Sequence, residues 1–175
     1  MIQNKLELDE FHSSEDPWGY ENNNEDLKRK EILLSELPKL NFEKVLDIGC
    51  GHGFITRDLP GAKVIGIDIS STAIEFAKKT KNERVDFLQG SIYEIDKFEN
   101  ESFDLIVITG VLYSQYIGNS NNLIYLLIDK ILKKGGYLVT VHIDDWYNSQ
   151  FPFLKLKQTY YSYRAYTHNL EIYLK

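Results

Sequence analysis

The apolar residues of the chain fall into short runs that alternate with segments in which apolar residues recur at helical spacing. Five runs have the length and the aliphatic content of buried strands: 44–48, 63–67, 84–88, 103–109 and 137–143. Three intervening segments predict helices: 54–59, 70–79 and 123–132. Strands that alternate with helices indicate a parallel sheet with helices on both faces.

The two ends of the chain depart from this alternation. Residues 1–24 are polar and irregular, and the asparagines at their end offer caps for a helix that stops at Pro38. Segments 159–163 and 170–174 are rich in tyrosine and aliphatic residues and predict an antiparallel hairpin. The whole pattern predicts a single doubly wound α/β domain, with a mostly parallel sheet of about seven strands. We divide it into a lid segment and helix (1–40), a cofactor-binding core (41–143) and a hairpin region (144–175).

A glycine-rich loop follows the first predicted strand. Gly49, Gly51 and Gly53 alternate with other residues between that strand and a helix, a context typical of a ligand loop. The loop carries Asp47 two residues before its first glycine, whereas a dinucleotide loop would hold a pyrophosphate there. A carboxylate repels phosphates and suits cationic groups, such as the sulfonium and ammonium of S-adenosylmethionine. A loop-bracing carboxylate is the alternative interpretation of Asp47.

A second carboxylate lies at the end of the neighbouring predicted strand. Asp68 follows Gly49 by 19 residues, a spacing that suits hydrogen bonds from both hydroxyls of an adenosine ribose. NAD and S-adenosylmethionine share that ribose, so Asp68 does not distinguish between the two ligands. The alternative is a helix cap, although Ser70 and Ser71 are available for that role.

Composition narrows the classes of function. The chain has 175 residues, one cysteine and a net charge of −6, which predict one domain without an internal disulfide, in a reducing cytoplasm. The acidic balance argues against a nucleic-acid partner, and the short basic cluster at 28–30 is typical of a solvated helix face. No apolar run approaches the length of a membrane span. The histidines lack metal-ligand spacing, so we predict no metal. The oligomeric state is left open.

Residues 41–143 resemble the class I S-adenosylmethionine-dependent methyltransferases, which have a Rossmann-like fold. Four segments carry the resemblance: 45–53, 64–70, 103–107 and 132–138. The resemblance implies S-adenosylmethionine as cofactor and S-adenosylhomocysteine as product. Its implied cofactor-binding residues in the loop and the second strand are Asp47, Gly49, Cys50, Gly51, Gly53 and Asp68.

The same resemblance implies an adenine site after the second and third strands. Ile69 stands where an apolar residue packs on adenine. Ser91 stands where the family usually has an aspartate, so its hydroxyl is expected to accept one hydrogen bond in place of that carboxylate. The backbone amide of Ile92 is expected to donate to the ring.

The N-terminal segment is similar to a branch of the family that includes the nodulation N-methyltransferases, which act on a glucosamine unit. The similarity implies that Trp18 belongs to a lid over the cofactor and that Lys28 meets its methionine carboxylate. That branch carries a glutamate after the fourth strand, where this chain has Thr109 to Tyr113. We expect Thr109 and Val111 to contact the cofactor.

The acceptor is expected beyond the carboxyl ends of the strands. His142 is the candidate general base, because a neutral imidazole is available near pH 7; a buried structural histidine is the alternative. The candidate substrate-binding residues are Tyr20, Tyr113, Tyr161 and Arg164. For the last two, the alternative is a hairpin core with a polar turn.

The sequence therefore predicts methyl transfer to the nitrogen or oxygen of a small molecule, such as a sugar or a specialised metabolite. A protein methyltransferase is one alternative. The other is a non-catalytic cofactor-binding subunit that needs a partner, because the connection 144–158 leaves little structure to cover a substrate. A base methyltransferase is disfavoured, since residues 109–112 lack the proline-containing motif of that class.

Overall fold

The computed structural model describes residues 9–10, 16, 19–148 and 150–175. Its strands are β1 (Lys44–Ile48), β2 (Lys63–Asp68), β3 (Val85–Gln89), β4 (Phe103–Thr109), β5 (Leu132–Ile143), β6 (Leu154–Tyr163) and β7 (Tyr166–Leu174). Its helices are α1 (Asn24–Glu36), α2 (Ser71–Lys78), α3 (Ser114–Ile117) and α4 (Asn121–Ile131). Short 3₁₀ helices occur at Thr56–Asp58, Ile92–Lys97 and Asp144–Trp146.

All seven strands form one sheet in the order β3-β2-β1-β4-β5-β7-β6. The five strands from β3 to β5 are parallel, whereas β7 pairs antiparallel with both β5 and β6. This arrangement confirms the predicted mostly parallel sheet with a C-terminal hairpin. Since the chain moves from β1 outward to β3 and then returns to β4, the strand order reverses beside β1. Ligands of such sheets bind at the carboxyl ends of the strands near that point.

The sheet buries both of its faces, as the continuous apolar runs predicted. On one face, Leu46 and Ile106 pack with Ile124 and Ile128 of α4. On the other face, Val45 and its neighbours pack with apolar residues of α1 and α2. Alternate residues of each strand point to opposite faces, so a run that is apolar at every position requires a cover on both sides.

Four elements differ in extent from the sequence prediction. Strand β7 begins at Tyr166, four residues before the predicted start at 170. The helix predicted at 54–59 is a single 3₁₀ turn, Thr56–Asp58, because the preceding glycine loop keeps positive φ angles as far as Gly53. Strand β5 begins at Leu132, with a register shift against β4, and β6 begins at Leu154. Within the described part of the chain, no helix is long and apolar enough to cross a membrane.

Candidate functional site

A cavity of about 760 Å³ lies at the carboxyl ends of the parallel strands. The loops that follow β1 to β5 form its floor, and α1 with the tip of the β6–β7 hairpin forms its roof. Most of the residues predicted from sequence line it: Tyr20, Asp47, Gly49, Cys50, Gly51, Asp68, Ile69, Ser91, Ile92, Thr109, Val111, Tyr113 and Arg164. The structure thus brings together residues that are up to 144 positions apart in sequence, from Tyr20 to Arg164.

Other predicted residues lie outside the cavity. Gly53 lies beneath the loop against Phe87. Lys28 and Tyr161 line a separate, smaller depression between α1 and β6. His142 is fully buried with its ring against Tyr147. Trp18, the proposed lid residue, falls outside the described residues.

The glycine loop is held tightly against the sheet. The amides of Gly49 and Cys50 both donate to the carbonyl of Ile67, at 2.8 and 3.0 Å. Gly49 has a φ of +80°, and a Cβ there would lie 2.2 Å from Cγ2 of Val111. Gly51, with a φ of +54°, has open space where its Cβ would be. The loop therefore needs glycine for its conformation and leaves its middle open to a ligand.

The structure shows Asp47 in the loop-bracing role that was considered for it. Its side chain is buried, and Oδ2 accepts a hydrogen bond of 2.6 Å from the hydroxyl of Thr56, which braces the loop. The other oxygen, Oδ1, is buried and has no hydrogen-bond partner among the residues that the structure describes. Burial raises the pKa of Asp47 to about 7, against the opposing effect of the Thr56 hydrogen bond. An unpaired buried carboxylate oxygen at a cavity wall suits a cationic ligand group.

Asp68 connects the glycine loop to the start of α2. Its Oδ2 accepts from the amide of Gly51 and its Oδ1 from the amide of Ser70, each at 2.9 Å. Ser70 itself caps α2, because its hydroxyl accepts from the amide of Ala73. Asp68 also lines the cavity, so its carboxylate lies at the cavity wall.

The residues predicted for an adenine site all line the cavity. Ile69 is partly exposed at the cavity wall, and Ser91 and Ile92 lie across from it on the loop after β3. The hydroxyl of Ser91 accepts from the amide of Tyr93 at 3.3 Å, and its amide donates to Glu94. Ser91 thus caps the 3₁₀ helix, which is a structural use of the hydroxyl that the sequence analysis did not foresee.

The cation that α1 presents to the cavity is Arg29, one position after the predicted Lys28. Its guanidinium lies 5.0 Å from the ring centroid of Tyr20 and 5.1 Å from that of Tyr163. Adjacent positions on a helix point about 100° apart, so the neighbouring Lys28 faces the smaller depression. Arg29 is a functional candidate that sequence reasoning missed.

The roof of the cavity is joined through a buried carboxylate on α1. Asp26 is fully buried and accepts hydrogen bonds from the hydroxyl of Tyr163 and, at 3.1 Å, from Nη2 of Arg164. Arg29 lies beside it, with Nε 3.8 Å from Oδ1. These contacts hold the hairpin tip over the cavity, where Arg164 had been predicted to bind substrate.

Two histidines line the cavity, His52 of the glycine loop and His168 of β7, whereas the predicted His142 of β5 does not. The side chains of Val141 and Ile143 face the cavity, and the intervening His142 points to the opposite face of the sheet. His168 pairs with Ile143, and its ring lies between Tyr161, at 5.7 Å, and Tyr163, at 5.0 Å. Burial, followed by the nearby Arg29, lowers the pKa of His168, so its imidazole is neutral near pH 7.

Sequence reasoning also missed the aromatic lining beyond β4 and β5. Tyr116, Trp146 and Tyr166 line the cavity together with Tyr113. A tryptophan directly after a buried strand was a usable signal, because such a strand ends at the ligand-binding edge of the sheet. Among the described residues, no group of three or more histidines, cysteines or carboxylates could hold a metal ion.

Comparisons with known proteins agree with this geometry. A model of the methyltransferase domain family matches residues 41–171. The N-methyltransferase NodS of Bradyrhizobium japonicum WM9, solved with S-adenosylhomocysteine, has a TM-score of 0.80 at 22% identity and covers 98% of this chain and 97% of its own. The similarity to a nodulation N-methyltransferase is therefore confirmed at the level of the fold.

Two curated relatives share part of their length with the chain. Ribosomal RNA small subunit methyltransferase C of Haemophilus influenzae is 40% identical over 83 residues, 44% of this chain and 24% of that protein. Demethylmenaquinone methyltransferase of Lactococcus lactis is 37% identical over 110 residues, 55% of this chain and 40% of that protein. The chain thus spans less than half the length of either relative.

Proposed function

The chain belongs to the methyltransferase domain family, and from that membership we propose that it binds S-adenosylmethionine in this cavity and transfers the methyl group to a small molecule. The unpartnered Oδ1 of buried Asp47 carries the proposal. Asp47 lines the same cavity as Gly51, and a carboxylate there would repel a phosphate and hold an ammonium group.

The remaining residues fit the other parts of the cofactor. Asp68 can accept from the ribose hydroxyls, and Ile69 and Ile92 provide apolar contacts for adenine. Arg29 is the cation available for the methionine carboxylate, in place of the predicted Lys28. S-adenosylmethionine supplies a methyl group that its sulfonium already activates. The chain's contribution is to align the acceptor with that group and to exclude water, and alignment can lower a barrier by roughly 7–11 kcal/mol.

A small-molecule acceptor is favoured by the shape of the cavity and the charge of the chain. The tip of the hairpin and α1 cover a volume of about 760 Å³, which is typical of sites for compact ligands. The net charge of −6 opposes the binding of a polyanionic nucleic acid. A ribosomal RNA acceptor, as the name of one relative suggests for that protein, would need a basic surface that this charge balance does not favour.

The proposal is tested by calorimetry with S-adenosylhomocysteine and NAD. We expect S-adenosylhomocysteine to bind and NAD to bind much more weakly. Asp68→Ala should weaken the binding of S-adenosylhomocysteine at least about tenfold, because a hydrogen bond to a charged group contributes roughly 1.5–3 kcal/mol. Asp86→Ala is the matched control, since Asp86 is a partly exposed carboxylate on β3 outside the cavity. Tighter binding of NAD, or unchanged affinity in a folded Asp68 variant, would contradict the proposal.

A further inference from the structure

Four aromatic side chains form a continuous surface in the lining of the cavity. We call Tyr113, Tyr116, Trp146 and Tyr166 the aromatic wall. The Tyr113 ring lies 6.2 Å from Tyr116 and 5.4 Å from Trp146, and Trp146 lies 5.3 Å from Tyr166. Trp146 is 45% exposed and Tyr166 is 44% exposed, so large flat apolar faces are available there to a ligand.

The hydroxyl of one wall residue, Tyr113, and those of two neighbouring tyrosines have structural partners. The hydroxyl of Tyr113 accepts from the amide of Ile143 at 2.9 Å, and that of Tyr93 donates to the carbonyl of Ile117 at 2.8 Å. The hydroxyl of Tyr163 donates to Asp26. The wall therefore offers ring faces more than hydrogen bonds, whereas a sugar would require many polar partners.

The acidic groups that line the cavity belong to the proposed cofactor site. Among the described residues that line it, the carboxylates are Asp47 and Asp68. An ammonium acceptor at the wall would thus meet no carboxylate there, and the nearby charges of Arg29 and Arg164 are positive. Ring faces without a carboxylate favour an uncharged or electron-rich planar acceptor over a glucosamine-like amine.

His168 supplies a proton acceptor next to this wall. It lies two residues after Tyr166 on β7 and so on the same side of the strand. His168 is 8% exposed, and its Nδ1 has no hydrogen-bond partner among the described residues. A hydrogen bond to the backbone of Tyr166 opposes the lowering of its pKa. The titratable groups around it are Arg29 of α1, His142 of β5, and Tyr161 and Tyr163 of β6.

We propose that the acceptor is a planar hydroxylated aromatic compound that lies against the aromatic wall, with His168 as the base for its hydroxyl. The inference rests on the proposed methyl transfer. The hydroxyl oxygen forms its bond to the methyl carbon as the bond from that carbon to sulfur breaks. The hydroxyl proton passes to the unprotonated ring nitrogen of His168 and then to water. The products are an aryl methyl ether, S-adenosylhomocysteine and a proton. The released proton balances the positive charge that the sulfonium loses.

The acceptor class is tested with 2-naphthol as the probe, and with 2-naphthylamine and glucosamine as comparisons. We expect the purified chain with S-adenosylmethionine to convert 2-naphthol to its methyl ether at least about tenfold faster than it methylates either amine, measured by mass spectrometry. Calorimetry with S-adenosylhomocysteine is run in parallel. If that ligand binds and 2-naphthol is not methylated, or an amine is methylated faster, the acceptor class is wrong and the proposed cofactor site stands. If S-adenosylhomocysteine does not bind, the proposed function itself fails.

The wall is tested by Trp146→Ala in calorimetry of 2-naphthol with the protein bound to S-adenosylhomocysteine. Loss of the indole face should weaken the binding of 2-naphthol about tenfold. Tyr160→Ala is the matched control, because Tyr160 is an aromatic residue of β6 that is 55% exposed and does not line the cavity. Equal affinities in the two variants would overturn the assignment of the wall.

The base is tested by His168→Gln. We expect kcat to fall about a hundredfold or more, while KM for 2-naphthol and the affinity for S-adenosylhomocysteine change less than about threefold. The rate of the unmodified protein should rise with pH to a plateau, with a midpoint below the ordinary histidine value of 6.5, and the variant should lose that rise. Unchanged kcat and pH dependence in the variant would overturn the role of His168.

A measurement on the unmodified protein covers the case in which His168→Gln fails to fold. Proton NMR of the histidine ring signals gives the pKa of His168 with S-adenosylhomocysteine bound. That value should agree with the midpoint of the pH–rate profile, and the His168 signal should shift when 2-naphthol is added. A disagreement of more than about one pH unit, or an unmoved signal, would overturn the assignment of His168 as the base.

Discussion

Burial of Asp47 disfavours the ionised form of its carboxyl group. The pKa of the Asp47 carboxyl rises from its ordinary value of 3.8 to about 7 in the folded chain. At pH values between these two, the folded chain binds more protons at this carboxyl than the unfolded chain does. The contribution of Asp47 to folding stability therefore falls as the pH rises from about 4 to about 7. A residue that lowers stability in this way is typical of a functional site, because a bound cation can stabilise the ionised carboxylate that burial disfavours.

The first consequence is a proton released on ligand binding. At pH 6 most Asp47 side chains are protonated, and the ammonium group of S-adenosylhomocysteine favours the ionised form. Binding at pH 6 should release close to one proton, and the affinity should rise with pH until about 7. Calorimetry in two buffers with different ionisation enthalpies measures the release.

Asp47→Asn is the control for this proton release. It keeps an oxygen for the Thr56 hydrogen bond but cannot ionise. It should bind the ligand more weakly, without proton release and without this rise in affinity with pH. Release of the same number of protons by both proteins would show that another group is responsible.

The elements of the core were predictable from the sequence, but the direction of several side chains was not. The apolar runs identified every strand from β1 to β5, because a buried parallel strand must be apolar on both faces. The choice between His142 and His168 depended on strand alternation and on the register of β5 against β7, neither of which the sequence shows. The choice between Lys28 and Arg29 depended on which side of α1 faces the sheet.

The contact between α1 and the hairpin is a long-range feature that no local pattern indicated. Asp26 and Tyr163 are 137 positions apart, and a buried aspartate in a polar helix has the same sequence signature as an exposed one. Asp26→Ala should lower the free energy of unfolding by about 3 kcal/mol, since it removes the shared partner of Tyr163 and Arg164. Chemical denaturation measures this loss.

Asp58 provides the comparison for that variant. It also pairs with a basic residue of α1, Lys30, at 2.7 Å, but it is 46% exposed. Asp58→Ala should lower the free energy of unfolding by less than about 1 kcal/mol, because exposed ion pairs contribute little. Similar losses in the two variants would mean that Asp26 does not hold the hairpin to α1.

At the scale of the whole molecule, the cavity has a floor and a roof of different construction. The floor is the carboxyl edge of the parallel sheet, which both core clusters support. The roof consists of Tyr20, α1 and the hairpin tip. Tyr20 packs on His52 and Phe54, and Glu21 pairs with Arg57 behind the glycine loop. Among the described residues before α1, Tyr20 and Glu21 therefore contact the floor through their side chains, and Asp9 accepts hydrogen bonds from Ser70 and Ser71 at the start of α2.

A roof with few anchors should be stabilised by a ligand that bridges it to the floor. We predict that S-adenosylhomocysteine slows amide hydrogen exchange at residues 19–24 and in α1, because Arg29 and Tyr20 would meet a ligand held by Asp47 and Asp68. Helix α4, on the sheet face opposite α1, is the internal control and should exchange at the same rate with and without ligand. The sequence-based expectation that Trp18 contributes to this lid is checked in parallel by Trp18→Ala, which should lose affinity and keep the fold. Equal exchange at residues 19–24 in both states, with normal affinity in the Trp18 variant, would mean that the roof is already rigid and that ligand entry requires the movement of another element.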